Sequence, residues 1–394
     1  MSDFISPLRS LEHPLPAGMR DLLPEEARGR RALARHLLDR FALYGYSIVT
    51  PPAFEFAEVL ERGLGTLDPG DVLRFVEPES GEVAALRPDV TPQIARMIAT
   101  RLRDRPAPYR LCYEGTVLRR RSGRARKSRQ IAQVGIELAG VGGAEGDLEM
   151  LAVAADGLRA AGLERFTIDL GDADIVRVLL RGADGDAVRR ITGAIARKDE
   201  AELADHAQDD RLTYGSLLVP LMRLHGGRQA IVDASSLLRG TPAEGPVSRL
   251  LALFDAAHTA NVGGLGSTLS ADLGEVRGFA YYTGTIFHVY APGPGEAIGA
   301  GGRYDELLGR FGAPMPAVGF ALDLDSVAWA LREGGAQPAP DTRVVVVGPP
   351  NDPRLPKLRA KGIVAVAVRG REQAKEYAEK WGYSSVVDEA DKGA

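Results

Sequence analysis

The sequence predicts an α+β fold: a largely antiparallel sheet flanked by helices, a helical insertion, and a small α/β unit towards the carboxyl end. Three observations carry that prediction. Strand-like runs recur as hairpin pairs, Val72–Val76 with Val83–Leu86 and Tyr109–Arg119 with Arg129–Ala139. The stretch from about 174 to 260 is rich in Ala, Leu and Arg and poor in β-branched runs, as in a mainly helical insertion. Gly334-Gly335-Ala336-Gln337-Pro338-Ala339-Pro340 reads as a linker, with strand and helix patterns alternating beyond it. The implied domains are 1–335 and 341–394.

In chain order, Glu25 to Tyr44 reads as a helix, with Leu33, Leu37, Leu38 and Phe41 on one face, Pro24 at its start and Gly45 at its end. Ser47–Pro51 reads as a short strand. The first hairpin turns around Glu79-Ser80-Gly81. Thr91-Pro92 then opens a helix, with the threonine as N-cap and the proline in the first turn. The second hairpin is joined by a basic loop, Arg120 to Ser128. Helix follows over Gly146–Ala161 and strand over Phe166–Gly171. After the insertion, strand character returns at Ser267–Asp272, Thr283–Tyr290 and Ala317–Leu322, with a glycine-rich stretch at Ala297–Gly302 and a helix at Asp325–Glu333. In the carboxyl-terminal unit, Arg343–Val347 and Ile363–Val368 read as strands, Pro356–Lys361 and Glu372–Trp381 as helices.

The chain has 394 residues, 45% of them hydrophobic, and a formal net charge of −4. It is long enough to bury a large core without covalent staples, and too apolar for a disordered chain. The single cysteine, Cys112, excludes an internal disulfide framework and a cysteine-built zinc site, and reads as a small apolar strand residue. None of the six histidines has metal-ligand spacing. With no signal-like amino terminus and no run of eighteen apolar residues, cytoplasmic residence without membrane contact is expected. Slight net acidity argues against general nucleic-acid coating. The loop Arg119 to Arg129 is locally basic, but no aromatic residue interleaves its charges, which weakens a single-strand-binding reading.

The strand Arg129–Ala139 is the most informative stretch. Alternation places Ala132, Val134, Ile136 and Leu138 on one face and Gln133, Gly135 and Glu137 on the other. Alone, that polar face is what a half-solvated strand shows. Three other peptides change the weighting. Leu86-Arg87-Pro88-Asp89-Val90-Thr91 delivers a carboxylate and a hydroxyl at a strand-to-helix junction. Arg277-Gly278-Phe279-Ala280-Tyr281-Tyr282 offers a guanidinium and paired tyrosines. Gly301-Gly302-Arg303-Tyr304-Asp305 adds backbone N–H groups and another guanidinium.

In this order the fragments resemble class II aminoacyl-tRNA synthetases of the histidyl type, from Gly18-Met19-Arg20-Asp21 to about Leu331. "GMRDLLPEE" with "YGYSIVTPP" is similar to the family's first motif, which builds a dimer interface. "YRLCYEGTVLRRR" through "RQIAQVGIELAG" is similar to the second. "EVRGFAYYTGTIFHVY" and "GAGGRYDELL" resemble two peptides peculiar to histidyl enzymes, and "PAVGFALDLDSV" stands where the third motif belongs. The resemblance implies a histidine pocket. Asp89 and Thr91 would hold the α-amino group, and Gln133 the backbone of the amino acid. Arg277 would face the carboxylate, while Glu137 and Tyr282, beside Tyr281, would grip the imidazole. Asp89 is one methylene shorter than the family's usual glutamate.

The nucleotide half departs from the family pattern. Where the second motif reads Phe-Arg-x-Glu, this chain has Leu118-Arg119-Arg120-Arg121, and where the third reads Gly-Leu-Glu-Arg it has Asp323-Leu324-Asp325-Ser326. Losing the clamping guanidinium forfeits a charge-assisted phosphate contact of roughly 1.5–3 kcal/mol, and Asp323 adds opposing charge. Arg119, Arg121 and Arg303 remain as anion or phosphate candidates. The 54 residues after the linker are fewer than the family's anticodon-binding domain, which implies a truncated version of it.

A retained amino-acid pocket with degraded nucleotide chemistry resembles one branch, the regulatory subunits of ATP phosphoribosyltransferase, which are paralogues of histidyl-tRNA synthetase. That resemblance implies no catalytic residue, metal or cofactor. It implies a homodimer within a hetero-oligomer, partnered by a short-form catalytic subunit of ATP phosphoribosyltransferase, with L-histidine as feedback effector of histidine biosynthesis. A truncated but active histidyl-tRNA synthetase and a nucleic-acid-binding paralogue are the alternatives.

Overall fold

The computed structural model describes residues 15–64, 72–119, 128–209, 211–276, 281–335 and 342–388. It divides into two compact units, Met1–Ala336 and Gln337–Ala394.

The larger unit is built on a nine-stranded sheet. In spatial order its strands are Ser47–Ile48, Tyr109–Leu118, Gln130–Ala139, Ala317–Asp323, Gly299–Arg303, Thr285–Tyr290, Thr167–Asp172, Leu269–Asp272 and His225–Gly226. Neighbours are antiparallel except at two places, where Ser47–Ile48 pairs with Tyr109–Leu118 and Thr167–Asp172 with Leu269–Asp272. The long hairpin runs in register from Tyr109 opposite Ala139 to Leu118 opposite Gln130. Glycine-rich Gly299–Arg303, legible only as a composition, is a central strand. Its glycines are steric requirements, because a Cβ on Gly301 would lie 2.5 Å from both the Gly319 carbonyl and the Phe320 side chain.

Both faces of the sheet are covered. On one, Val134, Ile136 and Leu138 pack with Leu37 and Phe41 of helix Pro24–Ala42 and Met150 of helix Gly143–Ala160. Gly45, with φ +85, follows that first helix. On the other face, Ile94 and Ile98 of helix Thr91–Arg101 join Tyr113, Tyr281 and Tyr304. The polar face of Gln130–Ala139 is therefore internal, with Gln133 8% and Glu137 3% exposed. Thr91 is not the N-cap. Val90 holds that position, and the threonine hydroxyl is used elsewhere.

A separate three-stranded antiparallel sheet sets Val83–Leu86 between Phe54–Phe56 and Arg74–Val76. Among its described residues the insertion's regular structure is helical apart from the two-residue strand His225–Gly226, its longest helices being Gly185–Arg197, Arg228–Leu237 and Glu244–Ala260. In the smaller unit, strand Arg343–Val347 lies between Val364–Val368 and Ser385–Val387, all parallel, with helices Arg354–Ala360 and Arg371–Trp381. Among the described residues, no helix is long and apolar enough to cross a membrane.

Candidate functional site

Three neighbouring strands form the floor of a cavity. Across the Gln130–Ala139 and Ala317–Asp323 pair, Gln133 faces Asp323, Gly135 faces Ala321 and Glu137 faces Gly319. The next strand adds Ala300 beside Ala321 and Gly302 beside Gly319. Small residues thus separate a polar row at one end from a carboxylate at the other. The cavity measures ≈ 130 Å³, with Asp89, Thr91, Arg119, Gln133, Tyr281, Tyr282, Tyr304, Gly319 and Asp323 in its wall.

At the closed end two buried carboxylates are dressed by hydroxyls. Thr91 Oγ1 donates to Glu137 Oε1 at 2.6 Å, and the Tyr304 hydroxyl donates to Glu137 Oε2. Asp89 Oδ2 accepts from the Tyr281 hydroxyl, and its Oδ1 accepts from the Thr91 amide at 3.4 Å. Glu137 stands behind Thr91 and Tyr304 rather than in the wall itself. Gly319 makes its position possible, since a Cβ there would lie 2.0 Å from Glu137 Oε2. Burial pushes the Glu137 carboxyl well above its ordinary pKa; the Asp89 charge adds to the rise, and the Thr91 hydrogen bond opposes it. Neither acid has an ion-pair partner among the described residues. A buried, doubly acidic pocket lined by hydroxyls favours a small cationic ligand that can also make directional hydrogen bonds.

The open end is different. Arg119 lies in the wall, its Nε donating to the Pro88 carbonyl at 2.8 Å. Gln133 Oε1 is buried and has no hydrogen-bond donor among the described residues. Asp323 caps helix Leu324–Glu333, accepting from the Asp325 and Ser326 amides at 3.0 and 3.1 Å. Its carboxyl pKa is raised by burial. Asp325 lies 3.2 Å from Arg20 and 3.7 Å from Arg30. This end therefore combines one guanidinium with a carboxylate committed to its own helix.

The structure brings Asp89, Thr91, Gln133, Tyr281 and Tyr282 to one cavity, with Glu137 directly behind it. Arg119 joins them. Arg303 does not: its guanidinium is buried between Asp147 and Asp305, at 2.6 and 2.9 Å, which leaves it no reach towards an anion in the cavity. Arg121 and Arg277 lie outside the described residues, as does most of the basic loop. Sequence reasoning missed Tyr304 and Gly319. Both lie in quoted motifs, but attention there went to Arg303, and nothing local reveals that Gly319 sits opposite Glu137.

The histidyl-tRNA synthetase family model matches residues 18–327. A protein of Anaeromyxobacter sp. (strain Fw109-5), named ATP phosphoribosyltransferase regulatory subunit, is 41% identical over 83% of this chain and 95% of its own length. One of the same name from Moorella thermoacetica is 40% identical over 81% of this chain and 82% of its own. A solved ATP phosphoribosyltransferase regulatory subunit/histidyl-tRNA synthetase from Bacillus halodurans C superposes with TM-score 0.81 at 27% identity, covering 95% of this chain and 97% of the other. With a family model over most of its length and relatives about 40% identical over more than four fifths of it, this chain belongs to the family of ATP phosphoribosyltransferase regulatory subunits, relatives of histidyl-tRNA synthetase.

Proposed function

We propose that the chain is a non-catalytic subunit that binds L-histidine in the closed end of the cavity. Through that binding it sets the activity of a short-form catalytic ATP phosphoribosyltransferase subunit. The observation that carries this reading is the buried Asp89–Glu137 pair with its three hydroxyl donors, Thr91, Tyr281 and Tyr304. Histidine offers an ammonium and an imidazole, both able to donate to such a site. Feedback then needs only that bound ligand favour one state of the assembly, by a coupling of about 1–3 kcal/mol. A cytoplasmic homodimer within a hetero-oligomer suits that role. Amino-acid activation by this chain is disfavoured at the open end, where Ser326 offers no guanidinium and Asp323 adds a carboxylate.

Two measurements test the reading. Calorimetric titration with L-histidine should show one site per chain, and the complex reconstituted with a short phosphoribosyltransferase chain should be inhibited by histidine. Robust histidine-dependent pyrophosphate exchange with ATP would instead establish a working synthetase.

A further inference from the structure

The peptide that supplies Tyr304 is braced by the residue before it. The Arg303 side chain is 7% exposed. Its Nε donates to Asp147 Oδ1 at 2.8 Å; one terminal nitrogen donates to the Gly143 carbonyl at 2.8 Å, the other to Asp305 Oδ1 at 2.9 Å. Asp147 also accepts from the Thr285 hydroxyl at 3.0 Å, and Asp305 from the Ala317 amide at 3.0 Å. The flanking backbone is equally fixed. The Thr283 amide donates to the Arg303 carbonyl, and the Tyr304 amide to the Ala317 carbonyl, both at 2.8 Å.

Four segments are therefore tied through one guanidinium and its two carboxylate partners: the start of helix Gly143–Ala160 directly, the Tyr281–Thr285 peptide through Asp147, the Gly299–Arg303 strand that carries the arginine, and the Ala317–Asp323 strand through Asp305. The last three also supply cavity wall, through Tyr281, Tyr282, Gly299 and Gly319. Space is reserved for the side chain, since a Cβ on Gly146 would lie 3.0 Å from a terminal nitrogen of Arg303. A planar fork answering three acceptors at once has no lysine equivalent.

We propose that Arg303 is a positioning residue that holds the Tyr304 hydroxyl on Glu137, and so sets the affinity of the closed end for an imidazole-bearing amino acid. The proposal rests on the histidine-binding reading. Its action passes through Tyr304, because the two are consecutive and their side chains leave opposite faces of the chain.

The test is a double-mutant cycle in the full chain, read by calorimetric titration with L-histidine. Arg303→Lys and Tyr304→Phe should each weaken binding about tenfold, the value of one charge-assisted hydrogen bond. The double variant should bind no more weakly than Tyr304→Phe alone, because the guanidinium has nothing left to position. A merely structural arginine gives multiplying losses, about a hundredfold in the double variant, and that result overturns the proposal. Should Arg303→Lys fold poorly, Asp305→Asn at a half-exposed carboxylate weakens one arm only. It should lower affinity a few-fold when Tyr304 is present and leave it unchanged in Tyr304→Phe; the same loss in both backgrounds overturns the proposal. A wild-type chain that does not bind histidine overturns the histidine reading, and this inference with it.

Discussion

The two ends of the cavity share a floor of glycine and alanine but differ in what their carboxylates do. At the closed end, among the described residues, Asp89 and Glu137 accept from three side-chain hydroxyls, which can turn towards a ligand, and from one long amide contact. At the open end, Asp323 is tied to two amides of its own helix. The first arrangement keeps acceptors on offer for an incoming cation. The second spends an acceptor on local structure and sets a carboxylate opposite the one guanidinium among the described wall residues. On the proposed function, one sheet keeps recognition of an amino acid and loses the fittings for its activation, because different strand ends carry the two groups of residues.

The largest expected effect breaks the closed end. Glu137→Gln should weaken histidine binding by about a hundredfold, since a buried charge-assisted contact is lost where water cannot replace it. Its thermal stability at pH 7 should not fall. The native carboxyl has a raised pKa, so its contribution to stability is greatest at low pH and is lost as pH rises through the folded-state value. Unaltered histidine affinity in this variant would remove the closed end from consideration.

A half-buried carboxylate away from the cavity, Asp169, sharpens the contrast, because it belongs to neither end. Burial raises the Asp169 pKa to about 6, with the neighbouring Asp272 charge adding to the shift. Folding should therefore lose roughly 2 kcal/mol as pH rises from about 4 to 7, after allowing for partial solvent screening. Asp169→Asn should flatten that dependence in denaturant melts while histidine affinity stays within a factor of two. A parallel loss of binding would tie this cluster to the cavity.

The open end can be rebuilt. Asp323→Gly combined with Ser326→Arg removes the opposing charge and restores a guanidinium. ATP affinity, followed by nucleotide competition or calorimetry, should rise about tenfold, with histidine affinity unchanged. Glycine is a tolerable N-cap, so the helix should lose only a few tenths of a kcal/mol. The smallest effect is expected from Thr91→Ser, which keeps the donor to Glu137 and loses one methyl group. A two- to threefold loss of histidine affinity is anticipated; a hundredfold loss would show that packing, not hydrogen bonding, governs the site.

Much of this was legible in the chain before folding. The hairpin Tyr109–Leu118 with Gln130–Ala139 follows from alternation, which also placed Gln133 and Glu137 on one face. The resemblance assembled Asp89, Thr91, Gln133 and Tyr282, which the structure brings to one cavity. Local reasoning failed where the deciding contact is remote. Thr91 looked like an N-cap because Pro92 follows it, but its hydroxyl finds Glu137, 46 residues away. The stretch at Gly299–Arg303 read only as glycine-rich, because glycine is a poor strand former, yet close backbone approach from Gly319 makes glycine obligatory there.

The sequence by itself determined the order of elements, the family, and which side chains stand on each strand face, because strand alternation and motif spacing are short-range properties. Only the tertiary structure decided that Arg303 turns away from the cavity, that Tyr304 meets Glu137, and that Asp323 serves its own helix. Those outcomes depend on which strands become neighbours, and a guanidinium or hydroxyl bonds to whatever acceptor the completed sheet leaves within about 3 Å.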